Sequence, residues 1–381
     1  MNYKKKSILF FTQEEKVPSA RFRVLQLIPY LEKVGYKCIV NHAKPNMYQT
    51  QIFPGYTILK GFNSITYCAK SIINLLFRLS GLIKLLRFLS RLLAIFKLKK
   101  ADIIFIQRPL LSYKSSFLER LFKRLNPNII FDFDDAIYYS PNPKERKKRE
   151  DALSKILSLS KSIIVGNNFL ASRCNGFKNI YVIPTGIDTK RFSPKNKKKK
   201  ENIIIGWTGT SSNFKHLLIV QDLLKELLKK RSDLIFQVIA DKDFYFNDST
   251  IPVNNIRWDE KVEVEKLKNF DIGIMPLYED EWTKGKCGFK IIQYMAVSIP
   301  VVGSPVGVNK EIIEHGVNGF LAKKDEEWIK YLSYLIDNPE KRKVMGNMGR
   351  KKVEKEFSIK ALIPQYINLF QFILENNQEK N

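Results

Sequence analysis

Lysines, glycines and one amide are concentrated in residues 284–307, whose sequence is KGKCGFKIIQYMAVSIPVVGSPVG. Gly288 lies at the expected start of a helix, where free N–H groups and the positive end of the helix dipole attract anions. Lys286, Lys290 and Gln293 are spaced i, i+4 and i+7, so they share one helical face if the helix begins early enough. Two ammonium groups at a helix N-terminus suit a nucleoside diphosphate, and an amide suits a ribose hydroxyl. An ordinary surface helix with two lysines would show the same pattern.

A second glycine loop, residues 205–216 with the sequence IGWTGTSSNFKH, follows a predicted strand. Strand, small polar loop and helix form the geometry of a phosphate cradle. Gly209 would let the backbone approach, Thr210 offers a hydroxyl, and Lys215 would reach a phosphate oxygen. The loop matches neither the dinucleotide fingerprint GxGxxG nor the P-loop GxxxxGK[ST]. Farther along, Glu311 opens a helix, where it either accepts hydrogen bonds from hydroxyls or complements the helix dipole.

Charged side chains in the first half of the chain are further candidates. The sequence FDFDDA at residues 131–136 ends a predicted strand, and its Asp134 could act as a base, a hydroxyl ligand or a metal ligand. A metal site is not favoured, because no histidine or second acidic cluster is near in sequence. Arg21 and Arg23 open a helix after the first strand, and Arg108 follows another strand. Each arginine could bind a phosphate or an acidic acceptor, or it could be solvated surface charge.

Composition narrows the class of protein that carries these residues. A chain of 381 residues exceeds what one hydrophobic core usually serves, and 12% aromatic residues exclude disorder as the dominant state. Four scattered cysteines without a CxxC pair support neither disulfides nor zinc and fit a reducing cytosol. The first apolar run, about five residues, is too short for a signal peptide. The net charge of +27 permits nucleic acid, anionic membranes or phosphate ligands. Nucleic acid is not expected, because the basic residues lack interleaved aromatic side chains.

Short apolar runs alternate with helical patterns along the chain, which predicts parallel sheets covered on both faces by helices. The expected strands are 7–11, 37–40, 102–107, 129–133, 162–165, 180–183, 202–207, 234–240, 255–257, 272–275, 300–302 and 319–321. The expected helices include 20–34, 115–125, 217–230, 262–269, 290–297, 325–335 and 359–374.

The run SPKNKKKKE at residues 193–201 is a credible linker. We therefore predict an α/β protein with two facing, doubly wound, Rossmann-like domains, residues 1–192 and 202–356. A final helix in residues 357–381 should pack back on the first domain. Ligands of such sheets bind at the carboxyl ends of the strands, which here means the cleft between the domains.

Residues 72–98 are apolar, but charges interrupt them too often for a transmembrane helix. At 100° per residue, Lys84, Arg87 and Arg91 fall on one face. A basic amphipathic helix of this kind can lie on an anionic membrane surface. The alternative is a helix that packs on the core and leaves a solvated basic stripe.

Several of these motifs, in this order, resemble the retaining GT-B glycosyltransferases of glycosyltransferase family four, in the bacterial branch that builds surface polysaccharides. The resemblance covers nearly the whole chain. The motifs that carry it are VIPTGID at 182–188 with FSP at 192–194, FDFDD at 131–135, GWTGT at 206–210 with Lys215, KCGFKIIQYMA at 286–296, and PVGVNKE at 305–311 followed by HGVNGF at 315–320.

The resemblance implies transfer of a sugar from a nucleotide-sugar donor with retained anomeric configuration, no required metal and no other cofactor. Lys215 matches the family's phosphate-binding lysine, and Gln293 stands in place of the second glutamate of the Glu, seven residues, Glu motif. Gly285 stands where the first glutamate would be, and Gly209 stands where the family has an arginine. Lys286 and Lys290 could substitute for these losses.

The expected roles follow from the motifs and the resemblance together. Catalytic residues would be Asp134, Lys215 and Lys290, and acceptor-binding residues would be Arg21, Arg23 and Arg108. Donor-binding residues would be Gly209, Thr210, Lys286, Gly288, Phe289, Gln293 and Glu311.

The expected function is glycosyl transfer to a lipid-linked or polysaccharide acceptor in cell-surface glycan synthesis, at the inner face of the cell membrane. Two alternatives stay open. One is a catalytically degraded GT-B subunit that binds without turnover, and the other is a nucleotide-sugar epimerase or hydrolase on the same fold.

Overall fold

The computed structural model describes residues 5–45, 81–194 and 201–375. Its strands are β1 Ser7–Thr12, β2 Lys37–His42, β3 Ile103–Gln107, β4 Ile129–Phe133, β5 Ser162–Val165, β6 Ile180–Val182, β7 Ile203–Gly209, β8 Leu234–Ala240, β9 Asn254–Arg257, β10 Ile272–Met275, β11 Val301–Gly303 and β12 Gly319–Leu321. Each predicted strand is present, and the strand ends agree with the prediction to within two residues.

The helices lie between the strands. They are α1 Pro18–Arg23, α2 Ile28–Lys33, α3 at residues 81–92, α4 Ile95–Leu98, α5 Phe117–Leu125, α6 Pro143–Leu159, α7 Asn168–Ser172, α8 Gln221–Lys230, α9 Glu263–Leu267, α10 Glu281–Lys284, α11 Phe289–Ala296, α12 Asn309–Ile312, α13 Asp325–Asp337, α14 Pro339–Lys352 and α15 Ile359–Glu375. Short 3-10 segments cover Leu25–Leu27 and Ser211–Val220, and Val353–Phe357 is π-helical.

The strands form two parallel six-stranded sheets, in the orders β2-β1-β3-β4-β5-β6 and β12-β11-β10-β7-β8-β9. Central strands such as β1 and β3 are buried along their whole length, because helices cover both faces of the sheet. This arrangement confirms the predicted α/β fold of two Rossmann-like domains. The proposed boundaries of the linker stay a prediction, since residues 195–200 lie outside the described residues.

The last helix packs on the first domain, as predicted. Leu362, Tyr366 and Phe370 of α15 are buried in one cluster with residues of β1 and β3. The Phe370 ring lies 5.8 Å from Tyr36 and 6.4 Å from Phe105, measured between ring centroids. The chain therefore returns to the first sheet after completing the second.

The predicted helix over residues 20–34 is divided into α1, a 3-10 turn and α2. Pro29 is the reason that α2 begins where it does. Proline lacks a backbone N–H and is tolerated in the first turn of a helix, where that group would have no helical partner.

The orientation predicted for the basic face of residues 72–98 is wrong for its described part. Arg91 is 1% exposed and donates to the backbone oxygens of Asn41 and Thr12, and Arg87 pairs with Glu14. Lys84 alone of the three predicted basic residues is exposed.

The outward face of this region is apolar instead. Its exposed apolar side chains are Leu82, Leu85, Leu86, Leu89, Leu93 and Phe96. Periodicity could not show that Arg87 and Arg91 turn inward to carboxylate and carbonyl groups of the domain. Across the described parts of the chain, no helix is long and apolar enough to span a bilayer.

Candidate functional site

A cleft of about 80 Å³ lies between the two domains. The first domain contributes Arg21 and Phe22 of α1, which follows β1. The second domain contributes Gly209 at the end of β7, together with Phe289 and Gln293 of α11. The cleft therefore lies at the carboxyl ends of the strands, where ligands of open α/β sheets bind.

Lys290 lies directly against the glycine loop that ends β7. A Cβ atom added at Gly209 would lie 2.5 Å from Lys290 Cε and 2.6 Å from the Trp207 indole. The Lys290 Nζ lies 5.3 Å from the centre of the Trp207 ring, which gives the ammonium a cation–π contact. Only glycine at position 209 allows the side chain of Lys290 to pass this close to β7.

Lys286 and Lys290 lie close enough for their charges to repel each other, and the charge of Asp135 offsets this repulsion only in part. Lys286 Nζ lies 5.2 Å from the centre of the Trp282 ring. Burial, and then the charge of Lys286, lower the pKa of Lys290 to about 7, against an opposing effect of Asp135. Within the described residues neither lysine forms an ion pair. A dianionic ligand would relieve this repulsion and return Lys290 to its charged form.

His216, which sequence analysis did not single out, is buried beside these lysines. Its Nδ1 accepts a hydrogen bond from the Tyr278 N–H at 3.3 Å, so the neutral ring carries its proton on Nε2, and Nε2 has no partner among the described residues. Burial, followed by the charges of Lys286, Lys215 and Lys290, lowers the pKa of His216 to about 4. Burial is the larger cause of this shift, and the charges of the three neighbouring lysines add to it.

Lys215 is more exposed than the other two lysines. Its side chain is 59% exposed, and its Nζ lies 3.9 Å from Asp280 Oδ2. The lysine is thus placed next to the lysine pair but is anchored only by a long ion pair at the surface.

Other predicted donor residues also meet at the cleft. Thr210 and Gln293 line it, and the Gln293 amide has no hydrogen-bond partner in the described part of the chain. The Phe289 ring lies 4.3 Å from Phe22 of the first domain, so it bridges the two domains. Gly288 caps α11 with φ of 61°, and a Cβ atom there would meet Ile312 Cδ1 at 2.5 Å. The positive φ and the close contact with Ile312 both require glycine at position 288.

Glu311 is not brought to the cleft wall. It is exposed on the short helix α12, and its carboxylate has no hydrogen-bond or ion-pair partner among the residues described. Its position agrees better with the alternative, a charge that complements a helix dipole.

The loop of residues 285–287, which precedes α11, packs against the first domain. Asn167 Nδ2 donates to the carbonyl oxygens of Gly285 and Lys286 at 3.2 and 3.1 Å. The Cys287 thiol donates to the Asp134 carbonyl oxygen at 2.8 Å. A Cβ atom at Gly285 would lie 2.7 Å from the Cβ of Ala136. In this arrangement of the domains, a glutamate at position 285 could not be accommodated.

Asp134 is held by Arg108 and is not free to act as a base. Arg108 donates to Asp134 Oδ1 from Nη2 at 2.7 Å and from Nε at 3.1 Å, and it also binds Asp135. Burial raises the pKa of Asp134, but the charges of Arg108 and Arg23 outweigh it, so the pKa is lowered. The structure thus gives Asp134 the role of an ion-pair partner, and Arg108 is not available as a free acceptor-binding cation.

The prediction that Arg23 binds an acceptor is wrong. Arg23 is fully buried, and its guanidinium donates to both carboxylate oxygens of Asp132 and to the Ile183 carbonyl oxygen. Arg23 and Asp132 compensate each other's charge in the interior of the first domain, where a charge without a partner would be strongly destabilising.

Arg21 lies in the cleft wall, but it is already paired across the domains. It donates to Glu260 at 3.0 Å and to Glu263 at 3.1 Å, and its guanidinium carbon lies 5.1 Å from the centre of the Trp258 ring. Glu263 is itself buried. Arg21 therefore joins α1 to the second domain before any ligand is bound.

The cleft wall also contains residues that were not predicted from the sequence, among them Asp241, Trp258 and Glu263. Asp241 follows β8 and Trp258 follows β9, so the rule that ligands bind at strand carboxyl ends contained a signal for both. Asp241 fixes the glycine loop by accepting from the Ser211 N–H at 2.6 Å and from its hydroxyl at 2.9 Å. Glu263 could not be found in this way, because its role depends on Arg21 from the other domain.

A search of the described residues finds no group of three or more His, Cys, Asp or Glu side chains that could hold a metal ion. The cleft is lined by hydroxyls, an amide, aromatic rings, Arg21 and the carboxylates of Asp241 and Glu263. Lys290 lies beside it, against Gly209, and an organic phosphate suits this combination of an amide, hydroxyls and a neighbouring cation.

Residues 202–338 match the family model "Glycosyl transferases group 1". The chain is 20% identical over 252 residues to spore coat protein SA of Bacillus subtilis, an alignment that covers 58% of this chain and 66% of the relative. It is 25% identical over 236 residues to an uncharacterized glycosyltransferase of Methanocaldococcus jannaschii, covering 57% and 58% of the two chains. The chain thus spans about three fifths of the length of these relatives.

Solved structures share the fold over almost the whole chain. A glycosyltransferase from Rickettsia africae superposes with a TM-score of 0.65 at 18% identity, covering 98% of this chain and 100% of that one. Sucrose-phosphate synthase from Thermosynechococcus elongatus gives 0.70 at 14% identity, with 97% and 100% covered. Anabaena HepE in complex with UDP and glucose gives 0.64 at 13% identity, with 96% and 99% covered.

The two facing sheets, the cleft between them and these superpositions define a GT-B fold. The family match over the second domain and the two relatives support a GT-B glycosyltransferase.

Proposed function

We propose that this protein transfers a sugar from a nucleotide-sugar donor bound in the cleft between its domains. The observation that carries the proposal is that Lys286 and Lys290, near the N-terminus of α11, form no ion pair within the described residues. The diphosphate would lie against these ammonium groups and the helix N-terminus, and Gln293 would hydrogen-bond a ribose hydroxyl. The complex of Anabaena HepE with UDP and glucose, on the same fold, supports this type of donor.

Donor binding requires the domains to separate. The cleft of about 80 Å³ is smaller than the roughly 300–1,000 Å³ typical of ligand pockets. The ion pairs of Arg21 with Glu260 and Glu263 and the ring contact between Phe22 and Phe289 hold it closed. We therefore expect a hinge motion that breaks these contacts when the donor enters and remakes part of them around it.

The proposed reaction retains the anomeric configuration. The bond from the anomeric carbon to the diphosphate oxygen breaks while the acceptor oxygen bonds to the same carbon from the same face. The acceptor proton passes to an oxygen of the leaving diphosphate. Lys286, Lys290 and the N-terminus of α11 stabilise the negative charge that grows on that group. Closed domains exclude water and limit hydrolysis of the donor.

The proposed acceptor is a lipid-linked or polysaccharide glycan of the cell surface, reached from the inner face of the membrane. In the observed orientation of α3, its exposed leucines would contact the membrane interface, and Lys84 and Lys97 would lie beside them. Flotation with anionic vesicles, compared between the native protein and Leu85→Ser/Leu89→Ser, checks this part. Equal flotation of the two proteins would contradict it.

A specific observation also favours a second candidate, a GT-B subunit that binds nucleotide without turnover. The backbone of Gly285 packs on Ala136, at the position where the resembled family carries an acidic residue. The two candidates share the donor site and differ in whether a glycosyl product forms.

The first experiment is thermal shift with UDP, GDP, ADP and CMP, repeated with Lys290→Ala and with the exposed Lys229→Ala as a matched control. At least one nucleotide should raise the melting temperature of the native protein and of Lys229→Ala but not of Lys290→Ala. Absence of any shift in the native protein would contradict the donor site.

The second experiment separates the two candidates. Incubation with the corresponding nucleotide-sugar and membrane extract should yield a glycosylated product whose anomeric configuration, measured by NMR, equals that of the donor. Nucleotide binding with no glycosyl product would favour the binding subunit.

A further inference from the structure

A groove of about 270 Å³ lies on the first domain between the start of α5 and the middle of α6. It shares no residue with the cleft between the domains. A water molecule takes about 30 Å³ in the liquid, so the groove has room for a phosphate group with its five heavy atoms. The groove belongs to the first domain alone and is formed whether or not the two domains move.

Cations converge on this groove from both helices. Lys148, Asp151 and Lys155 of α6 are spaced i, i+3 and i+7, so they share one face of the helix. Arg120 projects from α5 and Lys114 precedes it.

Most of these cations lack a counter-charge. Lys114 pairs with Glu145 at 3.2 Å, whereas Arg120, Lys148 and Lys155 form no ion pair within the described residues. Asp151 is the one carboxylate of the groove lining, and it faces three uncompensated cations. The groove therefore has a local excess of positive charge that a divalent anion would balance.

The floor of the groove supplies hydrogen-bond donors. Ser116 is the N-cap of the nine-residue helix α5, yet its side chain makes no capping hydrogen bond. It lines the groove, it is 4% exposed, and its hydroxyl has no hydrogen-bond partner among the described residues. The Phe117 N–H of the first turn of α5 already donates to Ser115 Oγ at 3.3 Å, so the Ser116 hydroxyl is the donor that an oxygen of a bound anion would meet at the start of α5.

We propose that this groove binds a phosphate ester, separately from the nucleotide site. Arg120, Lys148 and Lys155 balance its charge, and the Ser116 hydroxyl donates to one of its oxygens. The ester has two chemical sources, a soluble phosphorylated compound or the headgroup of an anionic lipid. The second source is suggested by Phe117 beside the groove, which is 51% exposed and lies 6.4 Å from Phe88 of the leucine-rich helix α3.

The test compares Lys148→Ala/Lys155→Ala with Lys147→Ala/Lys178→Ala, a control that removes the same charge from exposed positions outside the groove. Binding of glycerol phosphate is measured by calorimetry, and binding to phosphatidylglycerol–phosphatidylcholine vesicles is measured by sedimentation. Melting temperatures of both variants show that the fold is kept.

We expect the groove variant to lose at least about tenfold in affinity for one of the two probes, while the control stays within about twofold of the native protein. Loss with glycerol phosphate identifies a soluble ester, and loss with vesicles alone identifies a lipid headgroup. Equal binding by the groove variant and the control, or no binding of either probe by the native protein, would overturn the proposal. Nucleotide binding in the cleft is measured separately, so its failure would leave this result unaffected.

Discussion

Lys290 should take up a proton when a nucleoside diphosphate binds. In the ligand-free protein burial and Lys286 lower the pKa of Lys290 to about 7, so at pH 8 only about a tenth of the amine is protonated. A bound diphosphate replaces repulsion by attraction and moves the pKa toward the ordinary value of about 10.4. Binding at pH 8 should then take up about 0.9 proton per site.

The same linkage makes affinity depend on pH. Protonation must accompany binding, so the dissociation constant should rise about fiftyfold between pH 7 and pH 9. The second ionisation of a terminal phosphate, near pH 6, is already about nine-tenths complete at pH 7, so it changes the dissociation constant little over this range. This loss of affinity with rising pH distinguishes Lys290 from an ordinary lysine, because a ligand held by lysines with ordinary pKa values would bind equally well up to about pH 9.

The assay is isothermal titration calorimetry at pH 8 in two buffers with different ionisation enthalpies, using the nucleotide that most stabilises the protein. The difference in heat gives the number of protons taken up. Lys290→Met should abolish the uptake, whereas Lys215→Met, which removes an exposed lysine of the same region, should retain it. An uptake below about 0.3 proton in the native protein, or an unchanged uptake in Lys290→Met, would refute the reasoning.

Three other outcomes follow from the structure. Arg23→Met leaves Asp132 buried without its partner and should lower the free energy of unfolding in urea by about 3–5 kcal/mol, and Arg23→Met/Asp132→Leu should recover part of that loss; equal stability of both variants would contradict the ion-pair argument. Gly209→Ala should weaken nucleotide binding about tenfold, since the added methyl displaces Lys290, and an unchanged dissociation constant would count against the close approach. The pKa of His216 is lowered to about 4, so the folded state binds this proton less readily than the unfolded state. The free energy of unfolding should therefore fall by up to about 3 kcal/mol between pH 6.5 and pH 4. Urea denaturation of His216→Asn should show a flatter pH profile over that range.

Strand positions were predictable because local sequence determines them. A parallel strand that is buried on both faces is apolar along nearly its whole length, and β10 and β11 meet that condition within a few consecutive residues. Helix limits were less predictable. The interruption between α1 and α2 depends on where Pro29 can be tolerated, and helical periodicity alone does not contain that information.

The residues proposed to bind the diphosphate could also be predicted from the sequence. Gly288, Lys286, Lys290 and Gln293 lie within eight residues, and a single helix with its N-terminus determines their relative placement. Gly209 was identified as a loop glycine, but the reason it must be glycine, the side chain of Lys290, comes from an element far along the chain.

The arginines of the first domain show what a sequence does not determine. Arg21 and Arg23 are two residues apart in one helix, and nothing local distinguishes them. The structure gives Arg23 a buried carboxylate within its own domain and gives Arg21 two carboxylates from the other domain. Which charge faces a ligand depends on partners more than 100 residues away.

Hydrophobic periodicity and helix geometry act over a few residues, so the fold class, the two domains and the two lysines near the N-terminus of α11 could be predicted. Three features depend on the folded chain: Arg87 and Arg91 face inward while leucines face outward, Asp134 is paired with Arg108, and Gly285 packs on Ala136. The physical reason is the same in each case. The free energy of a charge or a close contact depends on the partner it meets, and that partner is brought near only when the chain is folded.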